Sequence, residues 1–331
     1  MGGVGVLSLS KITAIGVDVG GTKIAAGLVD QRGQILIREK AALSKGKRDG
    51  LLPAEQIGSM VGRLNSAARE RGLSVVGCGV AVPAFVDRAT GDVLWAPNIE
   101  GWRNFPLGQF LRELTGLPVI LDHDGPAAIL GEQWVGAARG SSDAVFLIVG
   151  TGIGAGFILN GQVYRGVSGL AGGVGWTCLE SGAIEEPFFK AGGFLETVAA
   201  GPGIARRFRE EESLAGGEED ETWASSAGRV EVTAEEVFAF ASEGNLRARR
   251  VVTEAARYLG MAVANLISAL NPEVIILGGG VGCHLGPYLE EIYQVIKETT
   301  QPQALEVVRV VTAVLGDDGG VIGSARGFLD A

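Results

Sequence analysis

The sequence predicts an α/β protein of two similar domains, and three observations carry that expectation. Ile15 to Asp30, IGVDVGGTKIAAGLVD, reads as an apolar strand, a glycine turn and a second apolar strand. Val145 to Asn160, VFLIVGTGIGAGFILN, repeats the same design far downstream. Between and beyond these hairpins, strand-like apolar runs alternate with helix-period stripes, and a chain of 331 residues suits two domains.

The glycine turns are where chemistry is expected. Gly20 and Gly21 let the backbone turn tightly and bring bare N–H groups up to an anion, while Thr22 and Lys23 add a hydroxyl and a cation. Asp18, ending the first strand, is placed to hold a Mg²⁺ that bridges phosphate oxygens. Gly150, Thr151 and Gly152 form the second turn. Either turn alone reads equally well as an ordinary β-turn; two of one composition favour phosphate. Neither has the spacing of a P-loop or of a dinucleotide turn that opens a helix, so the phosphate is expected against hairpins.

Composition narrows the classes. A hydrophobic content of 47% supplies a sizeable core, and the 53 glycines are scattered through strands and turns, not gathered in a low-complexity tract. A net charge of −10 argues against nonspecific binding to nucleic acid or to acidic membranes. Cys78, Cys178 and Cys283 form no CxxC pair, so no disulfide framework is expected and a cytoplasmic location fits. No apolar run reaches bilayer length, and the first eleven residues, read as a loose tail, lack a signal peptide's apolar region.

In chain order, Gln34 to Ala42 reads as a third strand. Ala54 to Arg71 carries helical periodicity through Ile57, Met60, Val61 and Leu64 and stops at Gly72. Val75 to Val82 is a continuous apolar run, a strand buried on both faces. Ala96 to Trp102 is a loop whose Asn98 and Trp102 either meet a polar ligand or merely pack. Leu107 to Thr115 is a short helix. The strand Val119 to Leu121 runs into Asp122-His123-Asp124, followed by a helix from Ala127 to Val135. Strand ends in open α/β sheets are where ligands bind, and a carboxylate there can take a proton from a hydroxyl during phosphoryl transfer. An N-cap is the equally weighted alternative for Asp122 or Asp124.

In the second half, Gly161 to Gly175 reads as a loop, Glu185 to Phe194 as irregular, and Phe194 to Arg209 as a helix carrying Glu196. Glu210 to Ser226 is expected to be an acidic solvated loop. Thr233-Ala234-Glu235-Glu236 is a capping box opening a helix to Ala241. Leu246 to Leu270 is a long striped helix closed by Asn271-Pro272, and Glu273 to Leu277 a buried strand. Gly278-Gly279-Gly280 is a third turn, suited to the approach of a nucleoside. Pro287 to Thr300 reads as a helix, Glu306 to Thr312 as a strand, Gly316 to Gly320 as a turn and Val321 to Leu329 as the last helix.

With these segments in place, the chain resembles the ROK group of sugar kinases and repressors within the hexokinase/actin-like ATPase superfamily. GVDVGGTK, APNIEGW, VGTGIGAGFI, GFLETVAAGPGIARR, LNPEVIILGGGV and LGDDGGVIGSA occur in the family's order, from Ile15 to the C-terminus. The resemblance implies two actin-like ATPase (ribonuclease H-like) domains with a central cleft: 12–122 plus 312–331, and 123–311. It implies a glucokinase-like transfer from ATP, with Mg²⁺, to a hydroxyl of a hexose or related sugar. Asp124 matches the catalytic base, and Asp18 would organise the metal. Gly20, Gly21, Thr22, Lys23, Thr151 and Gly152 would meet phosphates, and Gly279 and Gly280 the adenosine. Asn98, His123, Asp124, Glu196 and Trp176 would line the sugar pocket. The family is rich in homodimers, and a missing N-terminal DNA-binding region sides with its kinases.

Departures from the family pattern concentrate around the sugar. His123 stands where Asn is usual, and Pro126 replaces a second Asn. The family's EIGH reads Gly173-Val174-Gly175-Trp176. The cysteines of a structural zinc site fall at Pro187, Phe189 and Phe194, so no zinc is expected and aromatic packing is expected instead. A kinase for a different sugar, or a silent member that binds nucleotide or sugar without turnover, both follow from such a pocket. An actin-like assembly protein is a third class, without support from an extended polymer surface.

Overall fold

In the computed structural model, which describes residues 12–44, 50–96, 98–214 and 232–331, the first hairpin forms as read. β1 (Ile12–Val19) and β2 (Lys23–Asp30) are antiparallel, with Asp18 opposite Ala25. β3 (Ile35–Ala42) follows, then α1 (Leu51–Glu70), whose first turn includes Pro53, where a missing N–H costs nothing. β4 (Ser74–Val82) runs parallel to β1. β5 (Phe85–Asp87), β6 (Asp92–Trp95) and β7 (Arg103–Phe105) make a small antiparallel sheet around the loop expected at Ala96 to Trp102. α2 (Leu107–Thr115), β8 (Val119–His123) and α3 (Asp124–Val135) complete this stretch. The sheet order is β3-β2-β1-β4-β8.

The second half repeats it. β9 (Ala144–Val149), β10 (Ile153–Leu159) and β11 (Gln162–Tyr164) precede α4 (Pro187–Gly192), α5 (Phe194–Ala199) and α6 (Gly201–Leu214). α7 (Ala234–Ser242) opens with the expected capping box on Thr233 and Glu236. α8 (Leu246–Leu270) is capped by the Asn245 side chain and closed by Asn271 at φ 46°. Then come β12 (Val274–Gly278), α9 (Gly279–Gly282), α10 (Leu289–Thr299), α11 (Pro302–Leu305), β13 (Arg309–Thr312) and α12 (Gly319–Leu329). The order β11-β10-β9-β12-β13 matches the first sheet strand for strand.

Several expectations change, each for a local reason. Glu185 to Phe194 is not irregular: a 3-10 turn over Ser181–Glu185 leads into α4, whose first residue, Pro187, has its φ pre-set for a helix. The helix expected from Phe194 to Arg209 breaks at extended Ala200, because Gly201 N–H donates to Gly150 O at 2.8 Å. The third glycine turn opens a short helix, α9, and β13 starts only at Arg309 because α11 intervenes. Glu210 to Leu214 continue α6; the remainder of the expected acidic loop up to Ser226, like the first eleven residues and Pro97, lies outside the described residues.

Two compact units result. The first comprises Met1–Ser142, Gly156–Ala171 and Val314–Ala331, the second Asp143–Ala155 and Gly172–Ala313. The first thus takes α3, which the reading from sequence gave to the larger domain, because α3 packs on α12. In this unit the period-2 alternation of β1 separates two layers. Ile15, Val17 and Val19 join the cluster with Ile57, Met60 and Leu64 of α1, while Ala14 packs with Val321 and Ala325 of α12. α12 comes so close to α3 that a Cβ on Gly323 would run into the carbonyl oxygen of Ala127. Gly323→Ala is therefore expected to destabilise the protein by about 3 kcal/mol, the upper end of overpacking. An unchanged thermal midpoint would show that the two helices separate freely.

Candidate functional site

The same alternation that sends Ala14 toward α12 sends Asp18 there too. Its carboxyl lies against the start of α12, where only a glycine fits: a Cβ on Gly320 would overlap the Asp18 carboxyl. Burial, then the charge of Asp124 and, more weakly, that of Asp317, push the Asp18 carboxyl up to about 7, against the opposing pull of Lys23. The turn beyond it closes through Gly20 N–H to Lys23 O at 2.8 Å. Thr22 is exposed, and Lys23 reaches Asp317 at 3.0 Å. Asp317 also holds Lys40 at 3.0 Å, and these two lysines keep its carboxyl below the usual range. Arg38 pairs with Asp318 alongside.

At the β8–α3 junction the three residues of Asp122-His123-Asp124 take different tasks. Asp122 is clamped by Arg165, with Oδ2 at 2.6 Å from Nη2 and 3.1 Å from Nε, and Arg88 lies 3.4 Å away. Its Oδ1 also accepts from His123 N–H at 3.0 Å. Asp122 is thus a structural anchor. Asp124, the first residue of α3, accepts from Gly125 N–H at 2.8 Å and lies 2.7 Å from His123 Nδ1. Burial alone would lower the His123 pKa, but Asp124, and to a lesser degree Asp122, outweigh it and hold the imidazole above its usual range. The His123 ring stacks on Phe85 (centroids 6.1 Å apart), which stacks on Trp95 (5.7 Å).

Within the second unit, the two other glycine turns approach each other. Gly201 is bonded to Gly150, and a Cβ on Gly150 would be 3.9 Å from Gly280 N. Thr151 is exposed at the tip of its turn. Glu196, in the first turn of α5, accepts from Ile153 N–H at 2.7 Å through Oε2; a side chain on Gly152 would meet that oxygen at 2.6 Å. Burial raises the Glu196 pKa, and the Ile153 bond opposes the rise. Trp176 ends a 3-10 turn beside Glu196 and is 57% exposed, free to offer a ring face. Gly279 adopts φ 87°, and a little beyond α9 lies a cavity of about 440 Å³ lined by Glu235, Phe238, Arg249, His284 and Tyr288.

The first unit therefore unites Asp18, the Gly20–Lys23 turn and Asp124, and the second unites the Thr151–Gly152 turn, Glu196, Trp176 and the Gly279–Gly280 turn. Asn98 sits exposed in the β6–β7 turn. Trp102 of that loop is an anchor and not a ligand contact: it is 1% exposed, and its indole N–H donates to Gly50 O at 2.9 Å. Phe189 and Phe194 pack at 4.9 Å, and Phe194 meets the edge of Tyr258. Among the described residues no cluster of three or more His, Cys, Asp or Glu is arranged to hold a metal ion. Sequence reasoning missed Asp317, the Phe238–His284 cavity and the Phe85–Trp95 stack. The paired acids of LGDDGG were the only signal for the first; the others arise from residues distant in sequence.

Comparison with known proteins gives the family of the chain. The profile of the ROK family matches residues 14–330. A glucokinase of Halalkalibacterium halodurans is 37% identical over 311 residues, 93% of this chain and 92% of that protein. A ROK family glucokinase from Streptomyces griseus, crystallised in complex with glucose and AMPPNP, superposes with a TM-score of 0.77 at 30% identity, over 95% of this chain and 98% of that one. A xylose repressor of Caldicellulosiruptor bescii is 29% identical over 312 residues, 93% of this chain and 76% of the repressor.

Proposed function

The chain belongs to the ROK family, and from that premise we propose that it is an ATP-dependent sugar kinase of glucokinase type. The observation that carries the reading is the nearness of two carboxylates with different environments in the first unit. Asp124 opens a helix, and Asp18 is close enough to feel its charge and has its pKa pushed up to about 7. A carboxylate that burial and a neighbouring charge hold against ionisation suits a ligand for a compensating cation, and the carboxylate beside it at a helix start suits a proton acceptor.

Asp124 takes the proton from the attacking sugar hydroxyl. The sugar oxygen then bonds to the γ-phosphorus as the bond from that phosphorus to the bridging oxygen breaks, and ADP leaves. Asp18 fits Mg²⁺, because a hard carboxylate whose negative charge is poorly compensated by its surroundings suits a cation that draws its other ligands from water and phosphate. When bound there, Mg²⁺ supplies charge neutralisation for the ATP phosphates. Within the first unit Lys23 leaves Asp317 for phosphate, and the backbone N–H groups of Gly20 and Gly21, with the Thr22 hydroxyl, cradle it; within the second, Gly152 N–H and the Thr151 hydroxyl are the donors proposed for phosphate. Gly279, Gly280 and the cavity beyond α9 take the nucleoside, with Phe238 and His284 as ring faces. Glu196, Asn98 and Trp176 contact the sugar, Trp176 by stacking. We place this work in the cytoplasm; no disulfide forms among the three cysteines.

A catalytically silent binder is the second reading, and exposed Trp176 at the place of a family hydrogen-bonding His favours it. ATP turnover across hexoses, amino sugars and polyols separates the two. Stimulation by one sugar, at least about tenfold over the sugar-free rate, is expected of a catalyst that excludes water until its acceptor binds. Nucleotide binding without stimulation by any of them would replace the kinase with the binder.

A further inference from the structure

We propose that His123 is a positioning residue for Asp124: its Nδ1–H donates to Asp124 Oδ1 and so reserves Oδ2 as the oxygen that receives the acceptor's proton. The chemistry assigned to Oδ2 rests on the kinase reading; the His123–Asp124 pair itself does not.

Three short distances fix the assignment. His123 Nδ1 lies 2.7 Å from Asp124 Oδ1, and Gly125 N lies 3.3 Å from Nδ1 but 2.8 Å from Oδ1. One ring nitrogen cannot give a proton to Asp124 and accept one from Gly125. Were Nδ1 bare, its lone pair would face a carboxylate oxygen at 2.7 Å, a repulsive arrangement. Nδ1 therefore carries the proton, and Gly125 N–H belongs to Oδ1, the shorter and charge-assisted contact. Oδ1 then receives two donors. Among the described residues Oδ2 receives none, which leaves it the more basic oxygen.

The imidazole is held for this task on one face and through its backbone. Its face lies on Phe85, backed by Trp95, at interplanar angles of 24° and 16°. Its backbone N–H is tied to Asp122, which Arg165 and Arg88 clamp in turn. The charged groups facing it are therefore Asp124 and Asp122, the latter largely offset by two guanidinium groups. An amide at position 123 offers a donor of similar reach, whereas a methyl group offers none.

The chain has only two histidines, so imidazole NMR on the full-length protein reads His123 directly once His284→Asn has assigned the other. The expected result is a proton on Nδ1 and a titration midpoint that falls by about one pH unit or more in Asp124→Asn, the scale of losing an adjacent opposite charge. A midpoint that does not move, with the His284 signal still native, overturns the pair. With D-glucose and Mg-ATP, His123→Ala is expected to lower kcat roughly 10- to 100-fold with KM for ATP unchanged, within the range that general-base catalysis spans. His123→Asn is expected to restore most of that loss and to flatten the acid limb of the kcat profile. Wild-type kcat in His123→Ala would overturn the positioning role. If the wild type turns over no sugar at all, it is the kinase reading that fails, and the NMR midpoint still decides for or against the pair.

Discussion

Asp124→Ala is expected to lower sugar phosphorylation by about 1,000-fold while leaving nucleotide affinity within about twofold, because a positioned base contributes roughly 10² to 10⁴ in rate. The residues proposed to touch the nucleotide itself are other groups, so the chemical step should carry the large loss, and Asp124 acts on Asp18 only through its charge. Asp124 also accepts Gly125 N–H at the start of α3, so the Ala variant removes a helix-opening hydrogen bond as well as a base. Asp124→Asn separates the two losses. Its amide oxygen still accepts from Gly125, but it has no carboxylate to take a proton. Both variants are therefore expected to lose turnover alike, while only Ala also gives up the Gly125 hydrogen bond, at a cost of about 1 kcal/mol. Coupled ADP release and calorimetric nucleotide titration read the two effects. Residual activity above a few per cent in the Asn variant would remove Asp124 from the role of base.

Much of this arrangement was legible before any coordinates. The continuous apolar run Val75 to Val82 pointed to a strand, buried from Gly77 onward though exposed at Val76, and two hairpins of one design anticipated two sheets of one strand order. The Asp122-His123-Asp124 junction stood out because a strand end meets a helix start there. What the sequence concealed has a common cause: it depends on residues far apart in the chain. Nothing near Asp122 announces that Arg165 will clamp it, and nothing near His123 announces Phe85 and Trp95. Whether Trp102 meets a ligand or packs stayed open from its loop alone, because burial is a tertiary property. The short strands β5 to β7 escaped notice because three or four half-exposed residues carry no usable period. The break between α5 and α6 depends on Gly201 meeting Gly150, again a long-range contact.

Asp18→Asn is the second large expected effect, and it runs in opposite directions for stability and for activity. In the folded protein the Asp18 carboxyl is raised from 3.8 to about 7, chiefly by burial and then by Asp124. Between those two values the native state holds a proton that the unfolded chain has released. Stability therefore falls as pH rises through that window, and the full penalty, up to about 4 kcal/mol, persists above it. An amide carries no such penalty, so the ligand-free Asn variant is expected to melt higher than the wild type at about pH 8, with the advantage shrinking toward about pH 4.5. Activity should move the other way. Without a carboxylate for Mg²⁺, turnover of Mg-ATP is expected to drop by roughly 100-fold or more, the scale of losing one preorganised electrostatic contact. Mg-ATP should also stabilise the wild type more than the variant, because a bound cation supplies the compensation that the buried carboxylate lacks. Thermal melts of both proteins at the two pH values, with and without Mg-ATP, test the whole chain of reasoning. A melting difference independent of pH would mean that Asp18 is already ionised and compensated in the free protein, and its place as the cation's ligand would lose its physical basis.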